Sequence, residues 1–234
     1  MNKIEHFAEP RRLWLSWQGP EGTIKRQRRI IAEIVQDEGQ VVFRYLDQTP
    51  DYRAAKEEGF DGYPAFNRAM TEHRAGVLDA FMRRLPPRKR KDFIDFLEKY
   101  RLPADFSGSD MALLGYTGAR LPGDGFEVCP DFLSVPLPLE TIIEVAGFRH
   151  QSVPLGALKE GDSVRFIAES DNAFDTQAVS IWHDRGRIGY VPAPMAAAVR
   201  GWLQTANVEA VIERLNGQPE RPLVYLFVAV SPRA

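Results

Sequence analysis

The run Asp171-Asn172-Ala173-Phe174-Asp175 packs two carboxylates, an amide and an aromatic ring into five residues. Upstream, Val145-Ala146-Gly147-Phe148-Arg149-His150 sets a cation beside an imidazole. Downstream, Gly186-Arg187-Ile188-Gly189-Tyr190-Val191-Pro192 holds another cation and another ring. Aromatic rings stack on nucleobases for roughly 1–3 kcal/mol per base and do so without reading sequence. A carboxylate such as that of Asp175 accepts a hydrogen bond from a hydroxyl but repels a phosphate. The same five residues also suit a tight loop in which Asn and Asp side chains bond their own backbone.

A second group is purely electrostatic. Arg83, Arg84, Arg88, Lys89, Arg90 and Lys91 straddle Pro86-Pro87, six cations within nine residues. They could grip phosphates, or they could form a solvated helix junction whose cations complement a helix C-terminus. Lys25, Arg26, Arg28 and Arg29 form a smaller cluster that suits a charged hairpin edge.

Other chemistries find no residue set. The glycines between Tyr116 and Asp124 lack the G-x-x-x-x-G-K-[ST] spacing of a phosphate-cradling loop. His6, His73, His150 and His183 are scattered, and Cys129 is the single cysteine. A multi-cysteine zinc site is thereby excluded, and no metal or cofactor is expected. Ser107 and Ser109 have no identifiable base. The expectation is a protein without catalytic residues.

These groups need a folded frame, and the composition supplies one. The 234 residues are 44% hydrophobic and 26% charged with net charge −2, which excludes general disorder. No apolar run reaches the roughly 20 residues of a membrane span, and the N-terminus has no apolar signal region. A cytoplasmic location is expected. Residues 1–130 carry 21 Lys+Arg against 20 Asp+Glu, and residues 131–234 carry 9 against 12. The chain is therefore no polycation, and nucleic-acid contact would depend on a local patch.

The periodicity predicts two domains of an α+β protein. In the first, residues 1–130, strands are expected at Leu13–Trp17, Arg29–Val35 and Val41–Leu46, with a hairpin at Asp37–Gln40. An irregular stretch, Asp47–His73, should pack down through Tyr52, Phe60, Tyr63 and Phe66. Apolar spacing predicts helices over Val77–Leu85 and Phe93–Tyr100, the first stopped by Pro86-Pro87. Ser109-Asp110 should cap a short helical turn over Met111–Leu114. About residues 126–139 read as a linker with Pro130, Pro136 and Pro138, its clearest part being 131–139. Residues 140–234 show short strands at Thr141–Ala146, Val164–Ala168, Ala178–Trp182, Arg187–Val191, Val208–Leu215 and Leu223–Val230. A helix begins near Pro194, and Asn216-Gly217 reads as a turn. Short strands with one added helix suggest an OB-like β-barrel.

The three C-terminal stretches, in this order, resemble the HIRAN domain. Its pattern is a strand ending in G-aromatic-R, an N-x-aromatic-D-x-x-A-hydrophobic box and a G-x-hydrophobic-G-aromatic hairpin. The likeness covers about residues 140–232. It implies an OB-like barrel with an added helix. In the helicase-like transcription factor family this domain binds single-stranded DNA and captures a free 3′ end. Carried over, the likeness implies that Asp175 accepts from the terminal 3′-hydroxyl, and that Phe174 and His150 flank the terminal base. Asn172 and Arg149 would shape the pocket or meet phosphate. Tyr190 stands where the family uses a phosphate-contacting His, and Ala193 where it has a Lys.

About residues 11–130 resemble, less closely, the N-terminal domain of HipA-type proteins. The motifs are Phe43-Arg44-Tyr45, the run Leu78-Asp79-Ala80-Phe81-Met82-Arg83-Arg84-Leu85-Pro86, and Asp110-Met111-Ala112-Leu113-Leu114-Gly115. No kinase catalytic loop or metal-binding carboxylate set accompanies them.

The expected function is non-catalytic binding of single-stranded DNA, at free 3′ ends, in DNA repair or genome defence. Arg149, His150, Asn172, Phe174, Asp175 and Tyr190 would form the site, and Arg88, Lys89, Arg90 and Lys91 would track the backbone. A separate helicase, nuclease or toxin–antitoxin protein would be the partner. The rival expectations are a HipA-linked interaction or regulatory module, and an unrecognised nuclease.

Overall fold

The computed structural model describes residues 2–20, 27–172, 175–218 and 220–233. The chain divides into two compact units that are not contiguous in sequence. One comprises Glu9–Phe96 and Ser107–Asp131, and the other Met1–Ala8, Leu97–Phe106 and Phe132–Ala234. The sequence reading placed the first eight residues and the segment Leu97–Phe106 with the N-terminal part; both belong to the second unit.

The first unit is built on strands β1 (Arg12–Gln18), β2 (Arg28–Asp37), β3 (Gln40–Tyr45), β4 (Glu72–His73) and β5 (Phe126–Pro130). They form one antiparallel sheet in the order β4-β3-β2-β1-β5. The β2–β3 hairpin turns at Glu38 and Gly39, both at positive φ, the geometry that matches the twist of paired strands. Residues 126–130, read from sequence as the start of a linker, are instead an edge strand against β1. Pro130 is tolerated there because an edge strand need not donate on both sides.

Helices α1 (Pro50–Glu57), α2 (Val77–Met82), α3 (Phe93–Lys99) and α4 (Asp110–Thr117) complete the run up to β5. Thr49 caps α1 by accepting from the Tyr52 amide, with Pro50 at its start. Ser109 caps α4 by accepting from the Ala112 amide, and Gly118 ends it in the left-handed region. The irregular stretch before β4 is pinned by aromatics. Tyr45 donates to the Phe66 carbonyl and accepts from the Tyr63 amide, both over 2.9 Å. Phe43 stacks on Phe66, and Tyr63 on Phe81. Burial raises the pKa of Tyr45 and Tyr63, so both hydroxyls stay neutral.

The second unit holds β6 (Leu139–Glu144), β7 (Arg165–Ala168), β8 (Val179–His183), β9 (Gly186–Tyr190), β10 (Ala206–Gln218) and β11 (Arg221–Pro232), with α5 (Ala193–Thr205) between β9 and β10. The strands make two antiparallel three-stranded sheets, β10-β11-β6 and β7-β8-β9. Among the described residues, the OB-like barrel expected from the sequence does not close. The sheets meet through isolated bridges, Ala146 to Tyr190 and Ser163 to Val211. Continuous closure fails because residues 161–164 follow β10 only briefly, and β7 then departs with mostly exposed side chains. Gly189 makes the first bridge possible: its φ is 145°, and a Cβ there would lie 2.5 Å from the Ala146 carbonyl oxygen.

Asn216-Gly217 is not the hairpin turn. β10 continues through both residues, with Gly217 paired to Pro222 and Gln218 to Arg221. On α5, Pro194 occupies the first turn, and Met195, Val199 and Trp202 are buried. Arg101 and Glu213 form a deeply buried ion pair, and Asn2 donates to the second Glu213 oxygen over 2.7 Å. That triad ties the first residues and the Leu97–Phe106 segment to β10.

Candidate nucleic-acid interface

Three elements of the second unit converge through side-chain bonds. The first is a short 3₁₀ turn, Phe148–His150, entered through Gly147 at φ 72°. Phe148 points into the core, which leaves Arg149 and His150 exposed. Arg149 donates from Nε to Nε2 of His150 over 3.0 Å. Gln151 follows and accepts from Arg187 at 3.0 Å.

The second element is the loop between β7 and β8. Asn172 donates to Glu169 Oε2 over 2.8 Å, and its own carbonyl oxygen accepts from the Asp175 amide over 3.1 Å. Asp175 is exposed, with Oδ1 accepting from the Gln177 amide over 2.8 Å. Asn and Asp thus brace the loop backbone as a tight turn requires. This leaves the second oxygen of Asp175 for an external donor. Phe174, the expected stacking ring, lies outside the described residues.

The third element is the β8–β9 hairpin. The Arg187 guanidinium lies 5.0 Å from the centre of the Tyr190 ring and 4.0 Å from Glu169. Tyr190 exchanges both backbone bonds with Ala146, which brings its half-buried ring to the base of the 3₁₀ turn. On α5, Arg200 donates to Ser170 Oγ over 3.0 Å and so reaches the same loop.

Glu169 is the acidic centre of this arrangement. Bonds first from Ser180 and then from Asn172 hold its carboxyl below the usual carboxylate range, with Arg187 adding a smaller effect. Ser180 has one hydroxyl proton and also faces the Ile167 carbonyl, 3.2 Å away. The charged carboxylate is the stronger acceptor of the two.

Of the residues expected from sequence, Arg149, His150, Asn172, Asp175 and Tyr190 therefore lie on elements joined by this network. Gln151, Glu169 and Arg200 were missed as participants. Glu169 and Gln151 flank the recognisable motifs, but nothing in their spacing announces a cross-element bond. Arg200 sits on a helix face whose partner loop is thirty residues earlier.

The basic cluster belongs to the first unit and is less uniform than its sequence suggests. Arg84 is an interior residue: it donates to the Ala119 carbonyl and to Asp124, each over 2.6 Å, and packs over Tyr63 and Phe126. Arg88 is paired with Asp110, and Arg90 grips Asp92 through two nitrogens. Lys89 and Lys91 are exposed and are held by no ion pair among the described residues.

A separate concavity of about 510 Å³ in the first unit is lined by a single loop, residues 61–69, with Arg68 paired to Asp61. Among the described residues, no group of three or more His, Cys, Asp or Glu side chains could hold a metal ion. Burial pushes the Cys129 thiol pKa up, so its thiolate is disfavoured. Among the described residues, no helix is long and apolar enough to cross a membrane.

Comparison with curated proteins finds no match. Among solved structures, the chain is similar to the HIRAN domain of human HLTF, with 17% identity over 39% of this chain and 74% of that one, at a TM-score of 0.33. It is similar as well to a protein from Lactobacillus plantarum, with 22% identity over 40% of this chain and 93% of that one, at a TM-score of 0.33. The HipA-type likeness of about residues 11–130 rests on its sequence motifs alone. Residues 139–231, which contain all three converging elements, match the HIRAN domain, a family known for binding nucleic acid.

Proposed function

We propose that this chain binds single-stranded DNA without catalysis and that the second unit receives a free 3′ end. The observation that carries the reading is the convergence of the Gly147–Gln151 turn, the Glu169–Asp175 loop and the hairpin bearing Arg187 and Tyr190, all inside the segment that matches the HIRAN domain. In this reading the outward oxygen of Asp175 accepts from the terminal hydroxyl. His150 and Phe174 flank the terminal base, and Arg149 meets the adjoining phosphate. Tyr190 and Asn172 hold the frame around them.

The first unit contributes long-range attraction through Lys89 and Lys91, and through Arg88 and Arg90 to the extent that phosphate competes with Asp110 and Asp92. Repair and genome defence are the settings in which free 3′ ends arise, and a separate motor or nuclease would act on the captured strand. The test is titration of the full chain against a fluorescent single strand at several salt concentrations. Saturable binding to a strand with a free 3′-hydroxyl, weakening as salt rises, is the expected result. Equal binding of blunt duplex, or no binding at low salt, would overturn the reading.

A further inference from the structure

We propose that Arg187 is a direct phosphate contact of this site, taking the backbone phosphate of a single strand between the loop and the hairpin. The inference rests on the single-strand reading above and names a residue which that reading leaves unassigned.

The geometry separates Arg187 from the other cations of the unit. Its Nε is fixed by the Gln151 side-chain oxygen, and its plane lies over the Tyr190 ring. Two of the guanidinium's directions are thereby set before any ligand arrives. Nη1 looks toward Glu169 from 4.0 Å, too far for a good hydrogen bond, and no described residue engages Nη2. The side chain is 39% exposed. A planar fork held on one edge and open on the other suits the paired oxygens of a phosphodiester. Arg149 is held only by its exposed sequence neighbour His150, Arg185 is exposed, and Arg200 is engaged by Ser170. Of the hairpin's two cations, Arg185 lies in the turn and Arg187 on β9 beside Tyr190.

The nearby Glu169 carboxylate fits this role. It offsets the positive charge while the site is empty, and bonds from Ser180 and Asn172 fix it 4.0 Å from Nη1, short of a direct hydrogen bond. The ligand class is the phosphodiester of a single strand, not a terminal phosphate, because Asp175 on the same loop would repel the latter's second charge.

The salt dependence of binding decides the matter. Each single-strand phosphate contact adds about 0.7 to the slope of log affinity against log salt. Arg187→Gln should weaken binding of a 3′-hydroxyl strand and flatten that slope by about 0.7. The preference for 3′-hydroxyl over 3′-phosphate should remain. Arg187→Lys, which keeps the charge but loses the fork and the stacking, should retain the slope while binding more weakly. Weakened binding with an unchanged slope in Arg187→Gln would overturn the proposal and make Arg187 a purely structural link. Should Arg187→Gln fail to fold, the lysine variant decides: a flattened slope there contradicts the assignment. Absence of single-strand binding by the unaltered chain would instead sink the parent reading, so the two failures are distinguishable.

Discussion

Asn172 donates to Glu169 across 2.8 Å, and this bond joins the tip of the candidate binding loop to the end of β7. The same amide side chain accepts from the Asp175 backbone, so Asn172 transmits the position of Glu169 to the carboxylate expected to meet the DNA end. A loop so braced starts near its binding shape, and ordering costs on association fall accordingly.

The bond makes the unit sensitive to acid. Ser180 and Asn172 hold the folded Glu169 carboxyl below its unfolded value of about 4.3. A lowered folded pKa means that the stabilisation is complete above the unfolded value and is lost as pH falls through the folded one. Unfolding midpoints of the intact chain should therefore drop as pH falls below the unfolded value and through the folded one. In Glu169→Gln that drop should be shallower. The same acid response in both proteins would remove Glu169 from the account.

Gly189 should tolerate no side chain. Its positive φ and the approach of the Ala146 carbonyl leave no room for a Cβ at the bridge between the two sheets. Gly189→Ala should cost roughly 1–3 kcal/mol through backbone strain alone. The clash should add to that and loosen the pairing of Tyr190 with Ala146. Urea unfolding measures the stability, and amide exchange at Tyr190 measures the bridge. A variant as stable as the parent would contradict the assignment of this glycine.

The elements were legible to different degrees for physical reasons. Alternating and helical apolar patterns located β1, β2, β3, α2 and α3, and the Ser109 cap located α4, which is buried all round. Helix α1 escaped because its sequence, Pro-Asp-Tyr-Arg-Ala-Ala-Lys-Glu, buries only Tyr52 and Ala55. β5 was hidden by Pro130, which resembles linker chemistry until its edge position is known. The barrel failed to close at β7, where sequence alternation in Val164, Phe166 and Ala168 does not match burial. In the site, the motif residues were legible because they cluster along the chain. The bonds of Arg187 to Gln151 and of Arg200 to Ser170 span about thirty residues or more, and no local pattern encodes them.

The charge cluster of the first unit should act through its lysines. Arg84 is internal, and Arg88 and Arg90 already face carboxylates. Replacing both Lys89 and Lys91 with Gln should flatten the salt slope by up to about 1.4, at 0.7 per lost contact. Long strands should be affected more than short ones, and end preference should not change. Unaltered slopes for long strands would assign the cluster to a solvated helix junction.

End recognition is the central claim, and paired oligonucleotides test it most directly. Matched fluorescent strands, one ending in 3′-hydroxyl and the other in 3′-phosphate, are titrated with the intact chain and with Asp175→Asn and Phe174→Ala. The account predicts that the parent prefers the 3′-hydroxyl strand and that Asp175→Asn narrows the preference by relieving repulsion of the phosphate. Phe174→Ala should weaken both strands by roughly 1–3 kcal/mol, the worth of one base stack. Equal affinity of the parent for both strands, or folded variants that bind as the parent does, would contradict capture of a 3′ end at this loop.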